Sequence, residues 1–117
     1  YHKAIVMKRL CRIRDIQHAI SNIEHNFQEK YGICFNEGTL LCTLMNTEKM
    51  LTSGEISDLL GLSHSNTSKI ISSAEDKGYI HRELGHEDKR HMYFSITSKG
   101  KELVETVDFS ILDIPNI

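Results

Sequence analysis

The sequence has no apolar run of 18 residues, so nothing in it reads as a membrane span. No signal-peptide pattern is visible either. Cysteine is scarce: Cys11, Cys34 and Cys42 make an odd count of 3, which argues against a disulfide framework and fits a reducing cytosol. The expected location is therefore cytoplasmic. Proline occurs once, at Pro115, where it marks a helix end or a new short element. Internal repeats and low-complexity stretches are absent. So is a phosphate-gripping glycine loop, and no nucleophile, base and orienting group recur in a recognisable context. The chain does not read as an enzyme, and no cofactor is implied. An excess of positive charge is missing too, the net charge being -2. The first residue is Tyr rather than Met, which leaves room for a longer natural N-terminus.

What is present suggests one compact domain of 117 residues, 39% of them hydrophobic. Charge is unevenly distributed, and for partner choice the distribution matters more than the sum. Residues 1–14 carry Lys3, Lys8, Arg9, Arg12 and Arg14 with no acid. Residues 37–62 set Lys49 against Glu37, Glu48, Glu55 and Asp58. From Ser63 to Lys101, seven Lys or Arg face five acids, and His64, His81, His86 and His91 lie there too.

Residues 2–30 predict a long helix, with Ile5, Leu10, Ile13, Ile16, Ile20, Ile23 and Phe27 mostly at steps of three and four. Gly32 suits its left-handed end. The helix carries more apolar residues than a small domain needs, which points to a cover for the core or to a subunit interface. Asn36 is the expected cap of a second helix to about residue 47, with Leu40, Leu41 and Leu44 on its buried face. Thr52-Ser53-Gly54-Glu55 has the spacing of a capping box and starts a third helix, Ser53–Leu60, in which Ile56, Leu59 and Leu60 face inward. Gly61 ends it. Ser63 caps a fourth helix to about Lys77, with Ile70, Ile71 and Ala74 on the apolar strip and Ser65, Asn66, Lys69 and Ser73 opposite. Residues 79–84 and 92–97 flank a polar tip at 85–91 as two strands, and Thr97 caps a last helix.

Two short helices meeting at a glycine, then a charged hairpin, is the order of a helix-turn-helix with a wing. The expected fold is mainly α: a winged helix-turn-helix with a long N-terminal helix and a two-stranded β-wing. Residues 1–32 and 101–117, including Leu112, Ile114 and Ile117, are the expected dimerisation elements. Asp88-Lys89-Arg90, followed by Phe94-Ser95-Ile96-Thr97-Ser98-Lys99-Gly100, is similar to the wing tip and following helix start of the MarR family of bacterial transcriptional regulators. Ile96 stands where that family usually has Leu. Residues 54–62 resemble the first helix of its motif. Ser68-Lys69 and Glu75-Asp76-Lys77-Gly78-Tyr79-Ile80 resemble its recognition helix and exit, with Ala74 in place of a larger Leu. The resemblance covers roughly residues 23–106. It implies a homodimer on an inverted-repeat operator, with repression or activation often relieved by a small phenolic ligand, an oxidant or a metal. Seventeen residues follow Gly100, fewer than family members usually have there. Either more chain follows or the dimer is built differently.

Double-stranded DNA, a second copy of the chain and a small-molecule effector are thus the expected partners, with no membrane. The major-groove face is assigned to Ser63, His64, Ser65, Asn66, Thr67 and Lys69: Asn can pair bidentately with adenine, and Ser, Thr and His can donate to bases or phosphates. The wing carries Arg82, His86, Lys89 and Arg90, whose guanidinium suits a narrow minor groove, with Asp88 as the partner that orients Arg90. The alternatives are a solvated helix face and an ordinary charged turn. Tyr31, Phe35 and Met45 are candidate effector-pocket residues, chiefly on the resemblance. The seven histidines, including His2, His18 and His25, form no tight cluster, so no metal site is expected. The cysteines sit among apolar residues and are expected to be buried thiols, redox sensing being the alternative. The rival function is a winged helix used for protein contact without specific DNA binding.

Overall fold

The computed structural model describes residues 2–47, 49–85 and 91–112. Two compact units emerge where length alone suggested one domain. One is built from the chain ends, up to Ile33 and from Asp108 onward; the other is Cys34–Val107. Residues 101–107, grouped with a dimerisation element on sequence grounds, belong to the second unit.

The first unit is dominated by helix α1, His2–Tyr31. No glycine or proline interrupts it. Gly32, at φ +73°, closes it by donating its N–H to the Gln28 carbonyl at 2.9 Å. A 3-10 turn at Phe109–Leu112 follows Asp108. Asp108 holds the two pieces together. Its backbone N–H donates to Tyr31 Oη at 2.5 Å, and its carboxylate pairs with Lys30 Nζ at 3.3 Å.

The second unit contains helices α2 (Phe35–Met45), α3 (Ser53–Leu60), α4 (His64–Asp76) and α5 (Ser98–Glu105). Strands β1 (Leu51–Thr52), β2 (Ile80–Leu84) and β3 (Met92–Ile96) form an antiparallel sheet in the order β1-β3-β2. The two-stranded expectation thus gains a third, very short strand, with Leu51 opposite Phe94 and Thr52 opposite Tyr93.

Local chemistry sets the boundaries. Thr52 and Glu55 make the full capping box: Glu55 N–H donates to Thr52 Oγ1 at 3.2 Å, and Thr52 N–H donates to Glu55 Oε1 at 3.1 Å. Gly61 at φ +66° ends α3. Ser63 caps α4, accepting from Asn66 N–H at 3.2 Å. The cap of α2 is Cys34, not Asn36, with the Glu37 N–H directed at Cys34 Sγ at 3.4 Å.

The core of this unit is Leu40, Leu41, Leu44, Leu51, Ile56, Ile70, Ile71, Ala74, Ile80 and Phe94. Each large side chain contributes about 1.5–3 kcal/mol by leaving water. Leu59, expected inside, is 62% exposed. The inward face of α3 is centred on Ile56, Ser57 and Leu60, and at 100° per residue Leu59 sits about 110° round from that centre. Ser57 is buried in its place, its hydroxyl donating to the Leu62 carbonyl at 2.7 Å to hold the turn into α4.

Candidate nucleic-acid interface

Helices α3 and α4, joined at Gly61, form the helix-turn-helix pair, and α4 is its second helix. Ile70, Ile71 and Ala74 anchor it inward. Ser63, His64, Ser65, Asn66 and Lys69 are all exposed, as are Ser68 and Ser72 on the same side. Ser68 and Ser72 join the expected face because steps of three from Ser65 and Lys69 reach them.

Thr67 corrects the assignment. It is 1% exposed, and its hydroxyl donates to the Ser63 carbonyl at 2.8 Å. Thr67 is three residues before Ile70 and four before Ile71, so it faces the core with them and cannot reach a groove. Ser73, expected on the polar face, is half-buried and donates its hydroxyl to Glu37 Oε1 at 3.0 Å.

Glu37, an acid in a sequence segment that reads as surface, joins this site. It is 4% exposed, and both carboxylate oxygens accept from Lys77 Nζ at 3.2 Å. Its spacing to Leu40, Leu41 and Leu44 was the available signal, since those positions share one helix face.

The C-terminal end of α4 is tied down on other sides as well. Lys77 and Gly78 form a Schellman turn: Tyr79 N–H donates to Ala74 O at 3.0 Å and Gly78 N–H to Glu75 O at 3.0 Å, with Gly78 at φ +81°. Thr97 Oγ1 donates to Gly78 O at 2.7 Å while accepting from Gly100 N–H at 3.1 Å, and Lys99 Nζ donates to Lys77 O at 2.8 Å. Gly100 is buried, and a Cβ there would collide with the Tyr79 carbonyl and lie 2.7 Å from Ile96 Cγ1. The Thr97-x-x-Gly100 segment is therefore a joint between α5 and the exit of α4.

On the wing, Arg82 lies on β2 with its guanidinium paired to Glu75: Nε to Oε2 at 2.7 Å and Nη2 to Oε1 at 2.8 Å. That bonding holds the Glu75 carboxyl below the usual glutamate range. His86, Asp88, Lys89 and Arg90 lie outside the described residues. His91 is exposed immediately before β3, its ring 6.5 Å from that of Tyr93.

The candidate effector residues divide between the two units. Tyr31 is engaged by Asp108, whereas Phe35 begins α2 and Met45 ends it, Phe35 half-buried and Met45 exposed. The buried-thiol expectation fails for Cys11 and Cys42, which are exposed; Cys34 is half-buried at its cap. Among the described residues, no three His, Cys, Asp or Glu side chains come together as a metal-binding group. No described helix is long and apolar enough to cross a membrane.

A family model described as MarR family matches residues 31–91, just over half of the chain. The solved complex of S. aureus MepR with DNA is 26% identical, with 86% of this chain and 81% of that chain covered at a TM-score of 0.67. MepR in its DNA-binding conformation is 23% identical, with coverages of 91% and 76% and a TM-score of 0.73. The transcriptional regulator BldR from Sulfolobus solfataricus is 16% identical, with coverages of 89% and 72% and a TM-score of 0.72. The last two likenesses speak for the fold alone. A search among the sequences of curated proteins found no match. Together with the helix-turn-helix, the wing strands and the Thr97–Gly100 joint, the match over residues 31–91 places the chain in the MarR family of winged-helix transcriptional regulators.

Proposed function

We propose that this chain is a sequence-specific DNA-binding transcriptional regulator that acts as a homodimer on an inverted-repeat operator. The observation that carries the reading is the exposed polar face of α4. His64, Ser65, Asn66 and Lys69 stand clear of the fold while Thr67, Ile70, Ile71 and Ala74 anchor the opposite side. The likeness to a MepR–DNA complex supports it. In this reading α4 enters the major groove, Asn66 reads a base edge, and Lys69 neutralises a phosphate as a flexible point charge. Ser68 and Ser72 extend the contact along the backbone. His86, Lys89 and Arg90 reach the minor groove, with Asp88 orienting Arg90.

Dimerisation is assigned to α1, where Ile5, Met7, Leu10, Ile13 and Ile20 are exposed along one helix. A small-molecule effector would act by favouring one spacing of the two recognition helices over another.

Selection of bound duplexes from a random or genomic DNA pool tests the function. An enriched inverted repeat is expected, with affinity that falls as salt rises because phosphate contacts release counterions. On that duplex, both Arg90→Ala and Asp88→Ala should weaken binding. A pool without an enriched site, at low as well as moderate salt, would shift the reading to a protein-contact module.

A further inference from the structure

Arg82 is on the wing, yet its guanidinium is committed within the fold. The two N–H···O bonds to Glu75, at 2.7 and 2.8 Å, run in parallel from one planar group to one carboxylate, which fixes orientation as well as distance. The Arg82 Cζ also stands 5.4 Å from the centroid of the Phe94 ring. Phe94 is the residue directly opposite Arg82 on β3, and it is buried in the core. Glu75 lies in the last turn of α4, and the Schellman turn at Gly78 separates it from β2. The pair therefore spans that turn from the recognition helix to the strand that leads into the wing tip. The side chains keep 45% exposure at Arg82 and 28% at Glu75, so the pair contributes little to global stability. Its geometric effect is to hold the direction of β2 relative to α4.

We infer that Arg82 is a positioning residue which, through Glu75, sets the wing at a fixed angle to the recognition helix, and that it does not itself contact DNA. This inference rests on the DNA-binding reading above. It makes a prediction opposite in sign to simple electrostatics. Removing the Glu75 charge from a surface facing phosphates would tighten binding if charge alone decided. If the pair sets the wing angle, Glu75→Gln loosens binding as Arg82→Gln does.

The test compares the unaltered chain with E75Q, R82Q, the double variant and R82K on the selected duplex, by fluorescence anisotropy across a salt series. Each single neutral variant is expected to lose roughly five-fold in affinity, and the double variant no more than either single. R82K keeps the charge but loses the planar fork, and it should not rescue. The slope of log affinity against log salt should stay at that of the unaltered chain. Three results together would overturn the inference: a slope reduced by about 0.9 in R82Q, as for one lost phosphate contact, full activity in R82K, and tighter binding by E75Q. Hydrogen exchange without DNA supplies an independent arm. Amides of β2 and β3 should exchange faster in E75Q and R82Q alike while the urea midpoint moves little, and unchanged exchange would refute the positioning role. If the unaltered chain binds no duplex at all, the DNA-binding reading fails, and the exchange arm still decides whether Glu75 and Arg82 hold the wing.

Discussion

Lys77 Nζ bridges both carboxylate oxygens of Glu37 at 3.2 Å, and the two partners differ sharply in their access to water. Glu37 is 4% exposed, whereas the Lys77 side chain is 39% exposed. That asymmetry orders two substitutions. Lys77→Met strands a buried carboxylate with Ser73 as its remaining hydrogen-bond donor on α4, and should cost about 3 kcal/mol, the low end for breaking a buried pair. Glu37→Gln leaves a lysine that can turn to solvent, and should cost about 1 kcal/mol. Urea denaturation of both variants checks the order. A larger loss in Glu37→Gln would mean that Lys77, not Glu37, is the group held away from water.

Gly100 tolerates no side chain. Gly100→Ala drives a methyl into the Tyr79 carbonyl and the Ile96 side chain, so the α5 start must move away from β3. The expected loss is about 1–3 kcal/mol, as for overpacking elsewhere. Ile96→Val in the Gly100→Ala background removes one methyl from the clash. Partial recovery of the thermal midpoint in the double variant is the expected result, and further destabilisation would show that the Tyr79 carbonyl and the γ carbon that valine retains set the limit.

Asn66 and Thr67 are adjacent, yet their substitution should have opposite consequences. Asn66→Ala removes an exposed amide and should leave the urea midpoint nearly unchanged while weakening specific DNA binding by about 1–3 kcal/mol. Thr67→Val keeps the buried shape but loses the hydroxyl bond to Ser63 O, so it should lower stability by about 1 kcal/mol. Its effect on affinity should be no more than that on the folded fraction. A specificity change in Thr67→Val would contradict its placement in the core.

Among the described residues, three carboxyls set an acid response. Glu55 is held below the usual glutamate range chiefly by the Thr52 backbone N–H, Glu75 by the Arg82 side chain and Asp108 by the Ser110 backbone N–H. A carboxyl with a depressed folded pKa binds fewer protons in the folded state. Its contribution is present above the unfolded value and is lost as pH falls through the folded one. Stability should therefore decline on acidification below about pH 5. Glu55→Gln keeps a neutral capping bond and should make that decline shallower. An identical acid slope in Glu55→Gln would remove the capping box from the response.

The apolar surface of α1 predicts assembly. Leu10 is 61% exposed, and Ile5, Ile13 and Ile20 are exposed with it. Sedimentation at tens of micromolar should show a dimer. Leu10→Asp together with Ile13→Asp should yield a folded monomer, because a charge placed in a buried interface has no partner. A monomer in the unaltered chain would refute dimerisation through this helix.

Most of the helical fold was legible because its signals are local. Thr52, Ser63 and Thr97 each cap within three residues, and Gly32, Gly61 and Gly78 each supply a positive φ where a helix stops. What escaped notice depends on distant partners. Strand β1 exists only because Leu51 and Thr52 meet Phe94 and Tyr93 across more than forty positions of sequence. Two residues carry no period to read. Glu37 looks like an ordinary surface acid until Ser73 and Lys77 close over it. Cys34 displaced Asn36 as cap because the helix begins two residues earlier than the stronger capping residue suggested. On α4, Asn66 and Lys69 are exposed, whereas Thr67 is buried, a polar residue type having concealed an inward position.

The exit of α4 is held by Glu37, Arg82, Thr97 and Lys99, whereas His64, Ser65, Asn66, Ser68, Lys69 and Ser72 present side chains that the interior does not use. Holding the fold and facing outward are thus separate jobs for separate residues of a single helix. A library randomised at 64, 65, 66, 68, 69 and 72 should consist largely of folded proteins, because none of these positions fills the core or bears on the joint. New DNA preferences could then accumulate, in the laboratory or over generations, without a parallel series of compensating changes inside the molecule.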